Sequence, residues 1–149
     1  MSAVWLFVYG SLRRDAAGNH HPLLAQARFV GHATVPGALY RVRWYPGLVP
    51  HEDGTVHGEL YELPLPLADR MLQALDDYEG GGFRRRKVVA TLRATPTSPD
   101  GSTQAAHASS EHVVTRHDAW VYTYVGALHA LERIASGDHG VAPPHRAQP

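Results

Sequence analysis

The sequence predicts an α+β fold made of several short strands and one long helix. Three observations carry this expectation. Val4-Trp5-Leu6-Phe7-Val8 is a near-unbroken apolar run rich in β-branched and aromatic residues, the pattern of a strand buried on both faces. Leu67, Met71, Leu75 and Tyr78 recur at helical spacing, and Leu72 widens the stripe. Elsewhere, loosely alternating stretches are separated by turns containing proline or glycine.

The elements follow in order. After the first strand the chain changes abruptly at Tyr9-Gly10-Ser11, where a glycine and a hydroxyl replace the apolar run. Glycine there permits unusual backbone angles and close approach of a ligand. Successive main-chain N–H groups in such a turn can form an anion site. A plain strand-ending turn is the alternative. Asn19 is placed to cap a short helix reaching Gln26, with His20, His21 and Pro22 in its first turn. Phe29 to Val35 reads as weakly extended, and Ala38 to Trp44 as a second strand. Tyr45 to Pro50 reads as a bend rich in proline and glycine, and His51 to Thr55 as a hairpin-type turn. Val56 to Leu63 alternates as a half-exposed strand would.

Pro64-Leu65-Pro66 stops the sheet, and the helix that follows ends in Glu79-Gly80-Gly81-Gly82, where glycine is the expected terminator. Phe83 opens a strand running to Leu92, and Ala119 to Gly126 forms the last one. Ala127 to Ala135 is expected to be a short helix. Residues 95–112 carry almost no large apolar side chain and read as a mobile loop. The chain thus reads as a single domain over residues 1–135 with a flexible tail at 136–149.

Bulk properties narrow the function classes. A chain of 149 residues can bury a real core. Acidic and basic side chains balance at 14 each, so no overall field favours nucleic acid or a membrane surface. The absence of cysteine excludes disulfides, thiolate catalysis and cysteine-ligated metals. No stretch reaches the roughly 18 apolar residues of a membrane span. A cytoplasmic protein is expected, with no nucleic-acid or membrane partner.

Glu79 breaks a local rule. A carboxylate in the last helical turn faces the negative end of the macrodipole, where a cation is preferred. Asp76 lies on the same face and adds like-charge repulsion. Both effects, with burial beside Leu75 and Tyr78, would raise the carboxyl pKa towards the range useful for proton transfer at neutral pH. The alternative is a solvated carboxylate paired with Arg84, Arg85 or Arg86. The histidines His20, His21, His51 and His57 show no recognised metal spacing and read as surface residues. Ser11 does not lie in the nucleophile elbow of α/β hydrolases. The run Arg84 to Lys87 is split between two faces by strand alternation, which leaves a solvated edge with one arginine turned inward.

One ordered set of segments is more specific than any of its parts. Phe7-Val8-Tyr9-Gly10-Ser11-Leu12-Arg13, Asn19-His20, Tyr45-Pro46-Gly47-Leu48-Val49 and Val56-His57-Gly58-Glu59-Leu60-Tyr61 come first. Leu75-Asp76-Asp77-Tyr78-Glu79-Gly80, Phe83-Arg84-Arg85 and Ala119-Trp120-Val121-Tyr122 follow. Together they resemble the gamma-glutamylcyclotransferase-like family, in particular its small bacterial and gamma-glutamylamine-cyclotransferase-like branch, over roughly residues 4 to 126. The resemblance implies a compact mixed β-barrel with short helices packed around it. It implies that Tyr9, Gly10, Ser11 and Leu12 form the loop whose amides hold the substrate, and that Glu79 is the acid/base glutamate. Arg85 matches a family arginine two residues after an aromatic, which is Phe83 here where the family often has tyrosine. The phenol's hydrogen bond is therefore lacking.

The resemblance also implies release of 5-oxoproline from a small gamma-glutamyl substrate, without cofactor or metal. The substrate's α-amine attacks its own γ-carbonyl, so the protein needs orientation and proton transfer rather than a nucleophile. Amides around Gly10 to Leu12 would bind the α-carboxylate or the developing oxyanion. Tyr122 and Tyr9 would line the pocket, or else serve as core residues with hydrogen-bonded hydroxyls. Two rival readings are the same barrel acting on another amide and a non-catalytic binder of small carboxylates.

Overall fold

The computed structural model describes residues 4–10, 12–15, 17–42, 45–50, 53–94, 113–129 and 131–138. Ser11, Arg43, Trp44, His51, the expected mobile loop at 95–112 and the tail from 139 onward lie outside the described residues. In chain order the strands are β1 (Val4–Val8), β2 (Arg28–Pro36), β3 (Ala38–Arg41), β4 (Pro46–Val49), β5 (Thr55–Leu63), β6 (Phe83–Ala94), β7 (Val113–Tyr124) and β8 (Glu132–Ile134). One helix, α1 (Leu65–Glu79), lies between β5 and β6.

β1 is where the sheet closes on itself. It pairs antiparallel with β5, Leu6 opposite Tyr61, and parallel with β7, Leu6 opposite Trp120. The ring runs β1-β5-β2-β6-β7 and returns to β1, a closed five-stranded mixed barrel. Beyond β7 the sheet continues through β4, β3 and β8 as an extension. β5 can lie so close to β1 because residue 58 is glycine. A Cβ there would stand 2.3 Å from Val8 O and 2.6 Å from the Phe7 ring.

Two cores sit on either side of the barrel wall. Phe7 and Tyr9 point inward and pack with Val56, Leu60, Ala90, Leu92, Ala119 and Val121. Leu6 and Val8 point outward and are covered by Leu72 and Leu75 of α1. β1 is therefore buried on both faces, as its unbroken apolar run predicts. The helix stripe also follows its spacing: Met71, Leu72 and Leu75 are buried, whereas Tyr78 stays 43% exposed at the helix end. Gly80 terminates α1 with φ of 76°, its N–H bonded to Asp76 O at 3.1 Å.

Several local expectations are corrected. Asn19 does not cap a helix through Gln26. A single 3-10 turn, Pro22–Leu24, is capped by His21, whose Nδ1 accepts from Leu23 N at 3.1 Å. The bend expected at 45–50 contains strand β4, whose proline occupies the first strand position, where no ladder donor is lost. The strands on either side of the expected hairpin turn at 51–55 are not partners: β4 pairs with β3 and β7, while β5 pairs with β1 and β2. β5 is not half-exposed along its length: Gly58 to Tyr61 are all buried, one face inside the barrel and the other beneath the loop after β1. β7 begins at Val113, six residues before the expected Ala119. The expected helix at 127–135 is replaced by β8, which pairs with β3. Beyond it the chain stays attached to the body, since His57 N donates to Gly137 O at 2.8 Å.

Candidate active site

A cavity of about 240 Å³ opens where β1 runs out and α1 ends. Phe7, Val8, Tyr9, Gly10 and Leu12 line it from the first strand and its loop. Tyr45 and Pro46 contribute from the start of β4, Tyr78 and Glu79 from the last turn of α1, and Phe83 and Tyr122 from β6 and β7. The topology brings them together. β1 and β7 are neighbours in the ring, β4 adds to β7, and α1 packs across the outer face of β1.

Glu79 is the carboxylate of this cavity. Its pKa is pushed up from 4.5 to about 7 by burial, which penalises the charged form. Among the described residues no hydrogen bond or ion pair holds its carboxyl. The direction agrees with the expectation from sequence, but the cause differs. Neither the macrodipole nor repulsion from Asp76 is needed, because Asp76 is engaged elsewhere.

The loop after β1 is anchored from below. Arg13 N donates to Gly10 O at 3.0 Å, closing a turn. Arg14 N donates to Glu59 Oε1 at 2.9 Å, and the Tyr61 hydroxyl donates to the same oxygen at 3.2 Å. Glu59 is only 3% exposed, and its other oxygen lies 3.9 Å from Arg13 Nε and 3.8 Å from Arg14 Nε. A buried carboxylate needs such partners. Asn19, expected as a helix cap, instead holds this loop: its main-chain and side-chain amides donate to the Asp15 carboxylate at 2.9 and 3.2 Å. Among the described residues no hydrogen bond takes up the main-chain N–H of Gly10 or of Leu12. Gly10 is not in the left-handed region. Its glycine is needed for packing, since a Cβ would come within 3.1 Å of the Pro46 ring.

The two tyrosines predicted for the site commit their hydroxyls to the fold. The Tyr9 hydroxyl donates to Tyr122 O at 2.6 Å and accepts from Leu48 N at 3.0 Å, joining β7 to β4. The Tyr122 hydroxyl donates to Asp76 Oδ1 at 2.6 Å. Both phenol pKa values are raised, chiefly by burial, and the charge of Glu79 contributes to each rise. Their rings and main chain face the cavity; their hydroxyls tie its walls.

Arg85 is half-buried on the helix-covered face of the wall and does not line the cavity. Its Nε lies 3.2 Å from Asp76 Oδ1, and its guanidinium sits 4.7 Å from the centre of the Trp120 ring. It stands one step behind Tyr122, sharing the Asp76 carboxylate with it. Ser11 lies outside the described residues. The lining aromatics Phe7, Tyr45 and Tyr78 were not assigned to the site from sequence, and Phe83 entered there only as the aromatic standing where the family often has tyrosine. Phe83 packs against Tyr45 with ring centres 6.0 Å apart, and Tyr78 against His21 at 5.2 Å. The local signal was present for Tyr45, an aromatic beside Pro46-Gly47, and for Tyr78, which directly precedes Glu79.

Among the described residues no group of three or more His, Asp or Glu side chains is arranged to hold a metal ion. No described helix is long and apolar enough to cross a membrane.

The comparisons with known proteins agree with this architecture. Protein ytfP from Escherichia coli is 33% identical, with 91% of this chain and 95% of that one covered at a TM-score of 0.52. An AIG2-like protein from mouse superposes over 100% of both chains with a TM-score of 0.58 at 22% identity, a likeness of fold. Protein PH0828 from Pyrococcus horikoshii shares the fold at 21% identity, with 91% and 89% of the two chains covered and a TM-score of 0.57. No curated protein matches the sequence. The family model described as gamma-glutamyl cyclotransferase, AIG2-like, matches residues 6–140. With the closed barrel and its cavity, that match shows that the chain belongs to the gamma-glutamyl cyclotransferase, AIG2-like family.

Proposed function

We propose that the protein releases 5-oxoproline from a gamma-glutamyl amine or peptide, with Glu79 as general acid and base. One observation carries this reading. Glu79 is the only carboxylate among the described lining residues, its pKa is raised to about 7, and it shares the cavity with the loop carrying the Gly10 and Leu12 amides. A carboxyl group with that pKa can both take and return a proton near neutral pH.

The substrate's α-carboxylate lies against the main-chain N–H groups of the loop after β1, which folds the chain so that amine and γ-carbonyl meet. The Glu79 carboxylate takes a proton from the α-ammonium. The freed amine attacks the γ-carbonyl carbon, forming the lactam C–N bond, and the original amide C–N bond breaks. Of the three hydrogens on the α-ammonium, one stays on the lactam nitrogen and two end on the departing amine as its ammonium. Glu79 carries them in turn and finishes as it began, and no water is consumed. Amides directed at the carbonyl oxygen as it gains charge contribute about 2.7–4 kcal/mol each. Glu59 holds the loop, and Asp76 with Arg85 holds Tyr122, so these three act by positioning. A cysteine-free chain acting on free gamma-glutamyl compounds fits the cytoplasm.

The test is a panel of gamma-glutamyl amines, gamma-glutamyl dipeptides and glutathione assayed for 5-oxoproline. Turnover of at least one is expected. Tight binding of these carboxylates with no 5-oxoproline from any of them would identify a binder instead and overturn the reading.

A further inference from the structure

The residues lining the cavity fall into a buried set and a more exposed one. Tyr9, Leu12 and Tyr122 are each no more than 5% exposed and form its floor. Tyr45, Tyr78 and Phe83 are partly exposed and form its rim. The rim is a set of rings: Phe83 stands 6.0 Å from Tyr45 and 5.6 Å from Tyr124, centre to centre. Apart from Glu79, no described lining residue carries a charge. Neither Arg84, which follows the rim residue Phe83 directly, nor Arg85, which is held by Asp76, lines the cavity.

We propose that the leaving amine carries an uncharged, flat apolar substituent, an arylalkylamine, bound among the rings of Tyr45, Tyr78 and Phe83. This rests on the cyclising reaction proposed above and names the part of the substrate that reaction discards. The reacting glutamyl end belongs beside Glu79 and the loop amides, so the amine's substituent must extend towards the rim. Offset or edge-to-face packing against such rings is favourable. A leaving amine that is itself an amino acid brings a second carboxylate into this space. That carboxylate meets the charge of Glu79 and no lining cation among the described residues, and leaving a charge unpaired in a partly dry pocket is costly. Small-molecule sites gain orientation from a few polar groups and the rest from apolar walls, which is the division seen here.

The experiment measures 5-oxoproline release from N-γ-glutamyl benzylamide, N-γ-glutamyl methylamide, γ-glutamylglycine and γ-glutamyl-ε-lysine. The benzylamide is expected to have the highest kcat/KM, exceeding the two amino-acid conjugates by about tenfold or more, the discrimination an apolar pocket supplies. In Phe83→Ala the benzylamide-to-methylamide ratio of kcat/KM falls about tenfold. Tyr78→Ala, at an exposed site that the fold tolerates, lowers the same ratio. Faster release from the glycine or lysine conjugate, or ratios unmoved in both variants, overturns the aromatic-amine assignment and leaves the cyclising reaction standing. No 5-oxoproline from any of the four, or from the wider panel above, overturns the reaction itself.

Discussion

The hydroxyl of Tyr122 donates to Asp76 Oδ1 across 2.6 Å, which ties the cavity wall on β7 to the helix that ends in Glu79. Arg85 holds the same oxygen at 3.2 Å from the other side. Tyr122→Phe removes one donor to a charged acceptor and should cost about 1.5 kcal/mol. The low end of the range applies because the Asp76 side chain is 38% exposed. Combined with Asp76→Asn in a double-mutant cycle, urea unfolding should show a coupling of at least about 0.5 kcal/mol. Strict additivity would mean that the pair does not hold wall and helix together.

Tyr9→Phe should act on stability more than on chemistry. The hydroxyl donates to Tyr122 O and accepts from Leu48 N, and its loss removes both bonds. Each is worth about 0.5–1.5 kcal/mol. The urea midpoint should fall accordingly, while KM changes little in the protein that remains folded. A large rise in KM with stability intact would return the hydroxyl to the substrate.

Glu59 is expected to matter at a distance. Glu59→Leu removes the acceptor of Arg14 N and of the Tyr61 hydroxyl and should destabilise by about 1–3 kcal/mol for each group left unsatisfied. Glu59→Gln keeps an oxygen for Arg14 N and should fold better, yet raise KM because the loop bearing the Gly10 and Leu12 amides is less firmly held. An unchanged KM in a folded Glu59→Gln variant would show that the loop does not depend on this anchor.

The raised pKa of Glu79 sets a pH dependence of stability. A group whose folded pKa lies above its unfolded value favours the folded state at low pH, and that contribution is lost as pH rises through the folded pKa. Here the window runs from about 4.5 to about 7. The thermal midpoint of Glu79→Gln relative to the unsubstituted protein should therefore rise between pH 4.5 and pH 8. A difference that is flat across this range would place the carboxyl in water.

The sequence was most legible where one physical pattern dominated. An apolar run without alternation in Val4 to Val8 required burial on two sides, and the stripe through Met71 and Leu75 required one helix face against a wall. It was least legible where pairing came from distant partners. Pro46 to Val49 carries bend residues, but β4 is held between β3 and β7 and takes its ladder from them. Glu132 to Ile134 was too short to separate a strand from a helix by periodicity and is decided by pairing with β3. At the site, Glu79 stood out because it broke a helix-end rule. The reason offered was partly wrong, because Asp76 is paired with Arg85 and hydrogen-bonded by Tyr122, contacts between elements that no local window contains. The same holds for Arg85: strand alternation split the run Arg84 to Lys87 between two faces, but only the packing of α1 against β6 and β7 showed that the partner of Arg85 is Asp76. Of the rim aromatics only Phe83 stood out, in the place of the family's tyrosine; Tyr45 and Tyr78 come from separate segments that no local window joins to it.

The most direct test of the account is a comparison of Glu79→Gln with the unsubstituted protein on the best gamma-glutamyl substrate, measuring both kcat for 5-oxoproline release and Kd for a non-reactive gamma-glutamyl analogue. Loss of a general acid and base predicts a fall in kcat of about 10²–10⁴-fold with Kd changed far less. Retention of the original kcat in a folded Glu79→Gln protein would contradict it.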